Sequence, residues 1–171
     1  RLLTTRTADG GDTVKLLWAL GDDARIETVL MHYADRSTVC VSTQAGCAMA
    51  CAFCATGQAG FERHLTVGEI VEQVVRARTR AAADGQRLSN VVFMGMGEPL
   101  QNYAVTLAAI RMMLDDNAYG LSRRRVTVST SAARVLRGAR RVSEIPSASA
   151  KRRVSIGIAP FGLEVRASSA I

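Results

Sequence analysis

The sequence has no apolar run of the roughly 18 to 20 residues that a membrane-spanning helix needs. Its opening segment, 1–12, is largely polar and does not resemble the apolar core of a secretory signal peptide. Cysteine is scarce: there are four, and three of them fall within eight positions, which is too close and too odd in number for a secreted disulfide framework. We therefore expect a cytoplasmic protein with no membrane partner. We also expect it to be a monomer.

Apolar residues make up 48% of the 171 residues, which is enough for one domain with a substantial core. Charge is divided unevenly along the chain. Residues 1–120 carry eleven basic and thirteen acidic side chains, whereas residues 121–171 carry eleven basic and two acidic ones. The net charge of +7 therefore comes from the last third of the sequence.

The spacing of apolar residues predicts strands and helices in alternation. Two β-prone runs, 13–20 and 25–31, flank a turn-forming Gly-Asp-Asp and predict a hairpin. Thr66 and Glu69 have the spacing of a capping box, which predicts a helix that begins there and ends near 84–85. The remaining predicted elements are a helix at 103–114, strands at 37–43, 90–94 and 125–129, and a candidate strand at 154–162.

This order of elements predicts an α/β fold, because strands that alternate with helices usually pair in parallel through right-handed crossovers. A complete eight-unit barrel needs ~250 residues, so we expect a partial parallel βα barrel preceded by the β-hairpin. We interpret 1–35 as the N-terminal hairpin segment, 36–131 as the core and 132–171 as an Arg-rich tail.

Three cysteines form a Cys-x-x-x-Cys-x-x-Cys motif just after the first predicted core strand: Cys47, Cys51 and Cys54. Iron–sulfur clusters are usually held by four thiolates, so three thiolates on a [4Fe–4S] cluster leave one iron open to a small molecule. Zinc is an alternative, with Cys40 or His64 as the fourth ligand. Independent buried thiols are the remaining interpretation.

Six further segments accompany this cysteine motif: 39–44 (VCVSTQ), 46–47 (GC), 53–57 (FCATG), 65–67 (LTV), 90–100 (NVVFMGMGEPL) and 124–130 (RRVTVST). The Cys-x-x-x-Cys-x-aromatic-Cys loop resembles the radical S-adenosylmethionine (SAM) superfamily. Together with the other segments it resembles the RlmN/Cfr family, from about Glu27 to Ser131.

The resemblance implies an enzyme that methylates C2 of adenine in 23S rRNA and tRNA through a [4Fe–4S] cluster and a 5′-deoxyadenosyl radical formed from SAM. It implies that Cys47, Cys51 and Cys54 bind the cluster, whose open iron takes the amino and carboxylate groups of SAM. An electron donor such as flavodoxin is implied as a partner. The core at 36–131 would then be part of a radical SAM domain.

The resemblance also implies roles for residues outside the cysteine motif. Phe53 lies near the SAM adenine, and Ser129 binds SAM. Gly97 and Glu98 contact SAM as well, since a carboxylate accepts hydrogen bonds from the SAM ammonium and a glycine allows close backbone approach.

Two residues are implied to act as catalytic groups. Cys40 takes the proton from C2 of the methylated adenine and helps to release the product through a disulfide with a second cysteine. Glu27 is a proton acceptor.

The sequence departs from the family in several respects that bear on activity, of which one is decisive. The family has a later cysteine that carries the transferred carbon, and no cysteine follows Cys54 here. We therefore expect the chain to be an incomplete, inactive fragment. A zinc-stabilised RNA-binding module, with the Arg-rich tail contacting phosphates, is the alternative function. A radical SAM enzyme with another substrate is a third hypothesis.

Overall fold

The computed structural model of the protein describes residues 1–51 and 54–131 together with the strand Val165–Ala167. The strands are β1 (Leu2–Ala8), β2 (Thr13–Ala19), β3 (Arg25–His32), β4 (Ser37–Cys40), β5 (Gln44–Gly46), β6 (Phe61–His64), β7 (Leu88–Phe93), β8 (Val126–Thr130) and β9 (Val165–Ala167). The helices are α1 (Ala55–Gln58), α2 (Val67–Ala83) and α3 (Tyr103–Leu114).

Seven of these strands form one mixed sheet in the order β1-β2-β3-β4-β7-β8-β9. Neighbours from β1 to β4 are antiparallel, whereas β4, β7, β8 and β9 are parallel. The crossover from β4 to β7 contains α2, and the crossover from β7 to β8 contains α3, as parallel pairing requires. This arrangement confirms the predicted α/β class.

The predicted hairpin is present, and β1 extends it to three antiparallel strands. β2 and β3 pair from Thr13 with Met31 to Ala19 with Arg25, and Asp23 takes a positive φ of 64° in the turn between them. The sequence does not predict β1 because six of its seven residues are exposed. A strand with almost no buried face lacks the alternation of apolar and polar residues that identifies strands.

Helices α2 and α3 cover one face of the sheet and bury its central strands. The predicted capping box begins α2: Thr66 Oγ1 accepts from Glu69 N–H at 3.2 Å, and the Glu69 carboxylate accepts from Thr66 N–H at 2.8 Å. The buried residues of α2 share one side of the helix: Ile70, Gln73, Val74, Ala77 and Ala81. Beneath the helices lie Val39, Val91 and Phe93, all fully buried.

The first core strand is shorter than predicted. It ends at Cys40 rather than at residue 43, because the backbone of Ser42 hydrogen-bonds to the side chain of Gln73 instead of continuing the sheet. The next residues, Gln44–Gly46, pair with β6 in a separate two-stranded sheet.

The other predicted boundaries agree closely with the structure. The bounds of α3 are those predicted, and β7 and β8 differ from their predicted positions by one or two residues. The candidate strand at 154–162 lies outside the described residues, as does most of the predicted tail.

Candidate functional site

Three segments meet at the carboxyl edge of the parallel strands, where ligands of such sheets commonly bind. They are 41–51 after β4, 94–102 after β7, and 129–131 at the end of β8. Thr43 N–H donates to Met96 C=O at 2.8 Å, which joins the first segment to the second. Hydrogen bonds to Glu98 join the second to the third.

The cysteine loop starts at a position that requires glycine. Gly46 has a φ of 72°, and a side chain there would collide with the carbonyl of Gly60. The following residue, Cys47, is buried and donates its N–H to the same carbonyl at 2.7 Å. Cys51 and Cys54 are half-buried, and Cys54 N–H donates to Cys51 C=O at 3.0 Å.

The pKa of Cys47 depends on burial and on its neighbours in the site. Burial raises the pKa of the Cys47 thiol, and the charges of Cys51, Cys54 and Glu98 raise it further. Among the described residues, no three Cys, His, Asp or Glu side chains lie close enough together to hold a metal ion. The donor set nevertheless fits an iron–sulfur cluster, because three free thiols belong to one loop. Cluster binding requires these sulfur atoms to lose their protons and move closer together.

The zinc alternative gains no support from the described part of the chain. His64 Nδ1 lies 3.0 Å from Gln44 Nε2, and the His64 ring packs against Phe61 in a T-shaped contact. Cys40 lies on β4 and His64 lies on β6, so neither belongs to the loop that carries the other three cysteines.

The Gly-Glu loop after β7 packs closely against the start of the cysteine segment. Gly97 has a φ of 98°, and a Cβ atom there would lie 2.6 Å from Gln44 Cβ. Glu98 follows and is 3% exposed. Its N–H donates to Gln44 Oε1 at 2.9 Å, so the buried Gln44 side chain fixes the backbone of this loop.

The Glu98 carboxylate is fully hydrogen-bonded. Oε1 accepts from Leu100 N–H at 3.0 Å and from Thr130 Oγ1 at 2.5 Å. Oε2 accepts from Ser131 N–H at 2.9 Å and from Ser131 Oγ at 3.2 Å. A carboxylate has about four acceptor positions, so a cationic ligand at Glu98 competes with one of these donors. Cys51 Sγ lies 3.9 Å from Ser131 Oγ, which links the cysteine loop to the carboxylate.

Sequence reasoning selected Ser129 but missed its neighbours. Ser129 is half-buried and, by strand alternation, faces away from α2 and α3. Thr130 and Ser131, the next two residues, make the contacts with Glu98. Gln44 was also missed, although it ends the VCVSTQ segment that carries the family resemblance.

Cys40 and Glu27 both lie on the sheet face opposite α2 and α3. Cys40 pairs in register with Val29, and Glu27 is two residues before Val29, so the two side chains share a face. Burial raises the pKa of Cys40 to about 11, which keeps it a thiol near neutral pH. The Glu27 carboxylate forms an ion pair with Lys15 Nζ at 2.6 Å.

The predicted disulfide gains no support from this structure, and no cysteine follows Cys54 to serve as the second cysteine that the family resemblance implies. All four cysteines are free, and the Cys40 thiol instead makes a hydrogen bond with the backbone of Met94. The other three cysteines lie in the loop beyond β4. Phe53, predicted to lie near SAM, is outside the described residues.

Residues 41–162 match the Radical SAM superfamily, a span that covers the cysteine motif, the Gly-Glu loop and the end of β8. The chain belongs to the radical SAM superfamily. Curated relatives of this radical SAM chain carry the name "Probable dual-specificity RNA methyltransferase RlmN".

Two of these relatives show the extent of the similarity. The protein from Corynebacterium efficiens is 55% identical over 125 residues, which are 72% of this chain and 34% of the relative. The protein from Parafrankia sp. is 58% identical over 145 residues, which are 76% of this chain and 38% of the relative. The radical SAM chain thus spans slightly more than a third of the length of these relatives.

A solved structure supports the same assignment. The crystal structure of a radical SAM methyltransferase from Sphaerobacter thermophilus matches with a TM-score of 0.80 and 41% identity, covering 98% of this chain and 44% of that one. These matches confirm the resemblance inferred from the sequence and the partial α/β barrel of radical SAM type. No helix in the described part of the chain is long and apolar enough to cross a membrane.

Proposed function

We propose that the chain belongs to an RlmN-type enzyme that uses SAM to methylate C2 of adenine in 23S rRNA and tRNA. The names of its relatives support this proposal. The structural observation that carries its SAM-binding part is the contact path from Cys51 through Ser131 to Glu98. This path joins a loop of three thiols to a buried carboxylate, the two groups that a radical SAM site needs side by side.

In the proposed site, Cys47, Cys51 and Cys54 hold a [4Fe–4S] cluster with one open iron. When bound, this cluster supplies the reductive cleavage of SAM after receiving an electron from a donor such as flavodoxin. The burial of Cys47 shields one ligand from water. The glycine at position 46 lets the loop turn tightly before that ligand.

We propose that Gly97, Glu98, Ser129 and Phe53 hold SAM. The Glu98 carboxylate is a strong acceptor for the SAM ammonium, which takes the place of one of the four hydrogen bonds that Glu98 now accepts. Gly97 has no side chain to block close approach of a ligand to the backbone.

Cys40 and Glu27 are proposed to move protons during the reaction. Burial raises the pKa of Cys40 to about 11, so the thiol must first release its own proton to solvent, and the Cys40 thiolate then accepts the proton of adenine C2 at Sγ. The Glu27 carboxylate, on the same sheet face and paired with Lys15, is the second proton acceptor.

Deleting the gene whose product includes this chain tests the proposal. Mass spectrometry of nuclease digests should show that 2-methyladenosine disappears from both 23S rRNA and tRNA. Reintroducing the unmodified gene should restore the modification. A gene carrying Thr79→Ala, on the exposed side of α2, should restore it as well. A gene carrying Cys47→Ala should not restore it. Unchanged 2-methyladenosine in both RNAs would contradict the proposal, as would loss of 8-methyladenosine instead.

A further inference from the structure

The side-chain amide of Gln73 lies where helix α2 meets the segment that leads into the cysteine loop. Gln73 is 3% exposed and lies on the core-facing side of α2. Its Oε1 accepts from Ser42 N–H at 2.9 Å and from Thr28 Oγ1 at 3.0 Å. Its Nε2 donates to Ser42 C=O at 3.0 Å and to Glu69 C=O at 3.2 Å. These four bonds use the whole hydrogen-bonding capacity of the amide.

Ser42 is the residue that Gln73 holds most firmly, through both its N–H and its C=O. The Ser42 hydroxyl in turn contacts two parts of the site. It donates to Glu27 C=O at 2.6 Å and accepts from Met96 N–H at 3.0 Å. The next residue, Thr43, donates its N–H to Met96 C=O at 2.8 Å. One side chain on α2 therefore fixes the strand of Glu27, the approach to the cysteine loop and the Gly-Glu loop relative to one another.

We propose that Gln73 is a positioning residue: by holding Ser42, it keeps the cysteine loop and the Gly-Glu loop in the arrangement that binds SAM. In Gln73→Met, an apolar side chain of about the same length fills the space of the amide but leaves Ser42 N–H and C=O without their Gln73 partners. The SAM part of this inference rests on the proposed function. The positioning part concerns the cofactor-free chain and does not rest on the proposed function.

Thr28 provides a control that separates positioning from general stability. Its hydroxyl donates to Gln73 Oε1, the atom that also accepts from Ser42 N–H, and it accepts from Trp18 Nε1 at 3.1 Å. Thr28→Val therefore removes a buried hydrogen bond of the same amide and leaves both bonds to Ser42 in place. We expect it to lower the melting temperature without loosening the site.

Hydrogen–deuterium exchange on the cofactor-free chain tests the positioning role. In Gln73→Met, the backbone amides at 42–44 and 95–98 should exchange at least about tenfold faster relative to those at 13–19, because their local anchor is lost. Ser42→Ala keeps the backbone bonds to Gln73, so only 95–98 should loosen. Thr28→Val should leave both segments at the rate of the unmodified chain.

Unchanged relative exchange at 95–98 in Ser42→Ala, or at both segments in a folded Gln73→Met, would overturn the proposal. If Gln73→Met does not fold, unchanged exchange at 95–98 in Ser42→Ala still overturns the proposal, because Ser42 is the residue through which Gln73 reaches the Gly-Glu loop.

Equilibrium dialysis with SAM on the anaerobically reconstituted chain tests the functional consequence. Gln73→Met should weaken SAM binding by about tenfold, while Thr28→Val should leave the dissociation constant unchanged. If Gln73→Met exchanges faster but binds SAM as tightly as the unmodified chain, Gln73 positions the two loops but does not contribute to SAM binding. If the unmodified chain itself does not bind SAM, the proposed function fails, and the exchange measurement still decides whether Gln73 positions the loops.

Discussion

Gly97 occupies a position at which both the backbone and the surroundings exclude a side chain. Its φ is 98°, and an added Cβ would meet Gln44 Cβ at 2.6 Å and Gln44 N at 2.8 Å. Gly85, just beyond α2, also has a positive φ, 71°, but has open space where a Cβ would be. Alanine substitutions at the two glycines therefore separate two contributions to the free energy of unfolding: backbone strain, and the collision of an added Cβ with its surroundings.

Gly97→Ala should lower the free energy of unfolding by about 3 kcal/mol, because it combines left-handed backbone strain with overpacking against Gln44. Gly85→Ala should cost only about 1 kcal/mol, from backbone strain alone. Urea unfolding of the two variants measures both values. Equal losses would show that Gln44 moves aside freely and does not fix the Gly-Glu loop.

At the scale of single residues, the sequence predicted the main site candidates but not their partners. The cysteine motif and Glu98 stand out because their residue types and spacing are distinctive. The contacts of Thr130 and Ser131 with Glu98 join positions 32 and 33 residues apart. Such contacts depend on which strand lies beside which, and local sequence does not determine that.

Among the secondary-structure elements, α2 links the fold to the site most directly. Its first turn is held by the capping box and by Arg63, which donates to Glu69 Oε2 at 2.9 Å and to Oε1 at 2.8 Å. The hydrogen bonds from Arg63 lower the pKa of Glu69. The stabilisation by this carboxylate is therefore complete above the usual pKa range of glutamate and is lost as the pH falls through the lowered value.

Thr66→Ala should destabilise the chain by about 1 kcal/mol, since it removes the N-cap acceptor of α2. Thr79, an exposed residue in the middle of α2, is the matched control: its hydroxyl bonds back to Val75 C=O at 3.1 Å within the helix. Thr79→Ala should be neutral or slightly stabilising because alanine favours the helix interior. Thermal unfolding checks both, and no difference between the variants would mean that the cap contributes nothing to α2.

Elements with strong local signals were predictable, and those determined by distant contacts were not. Helix α3 has the predicted bounds, and the capping box begins α2 where expected. The end of β4 at Cys40 was missed because it depends on Gln73, 31 residues beyond Ser42 in the sequence. The exposed strand β1 offered no apolar pattern to detect.

In the whole molecule, the two faces of the sheet have different roles. One face is buried under α2 and α3 and supplies the core. The other carries the half-buried side chains of Lys15, Glu27 and Cys40. At the carboxyl ends of the parallel strands, the cysteine loop and Glu98 lie close together. This division is the one expected of a barrel-type enzyme, in which the core supports an edge where the chemistry occurs.

The central claim is that the loop of Cys47, Cys51 and Cys54 holds an iron–sulfur cluster, and metal analysis after anaerobic reconstitution tests it most directly. We predict about four iron and four sulfide ions per chain, with a broad visible absorption band. Cys51→Ala should lose both the iron and the band, whereas Cys40→Ala, which alters the cysteine outside the loop, should keep them. Stoichiometric zinc without iron would contradict the account and favour a zinc-stabilised binding module.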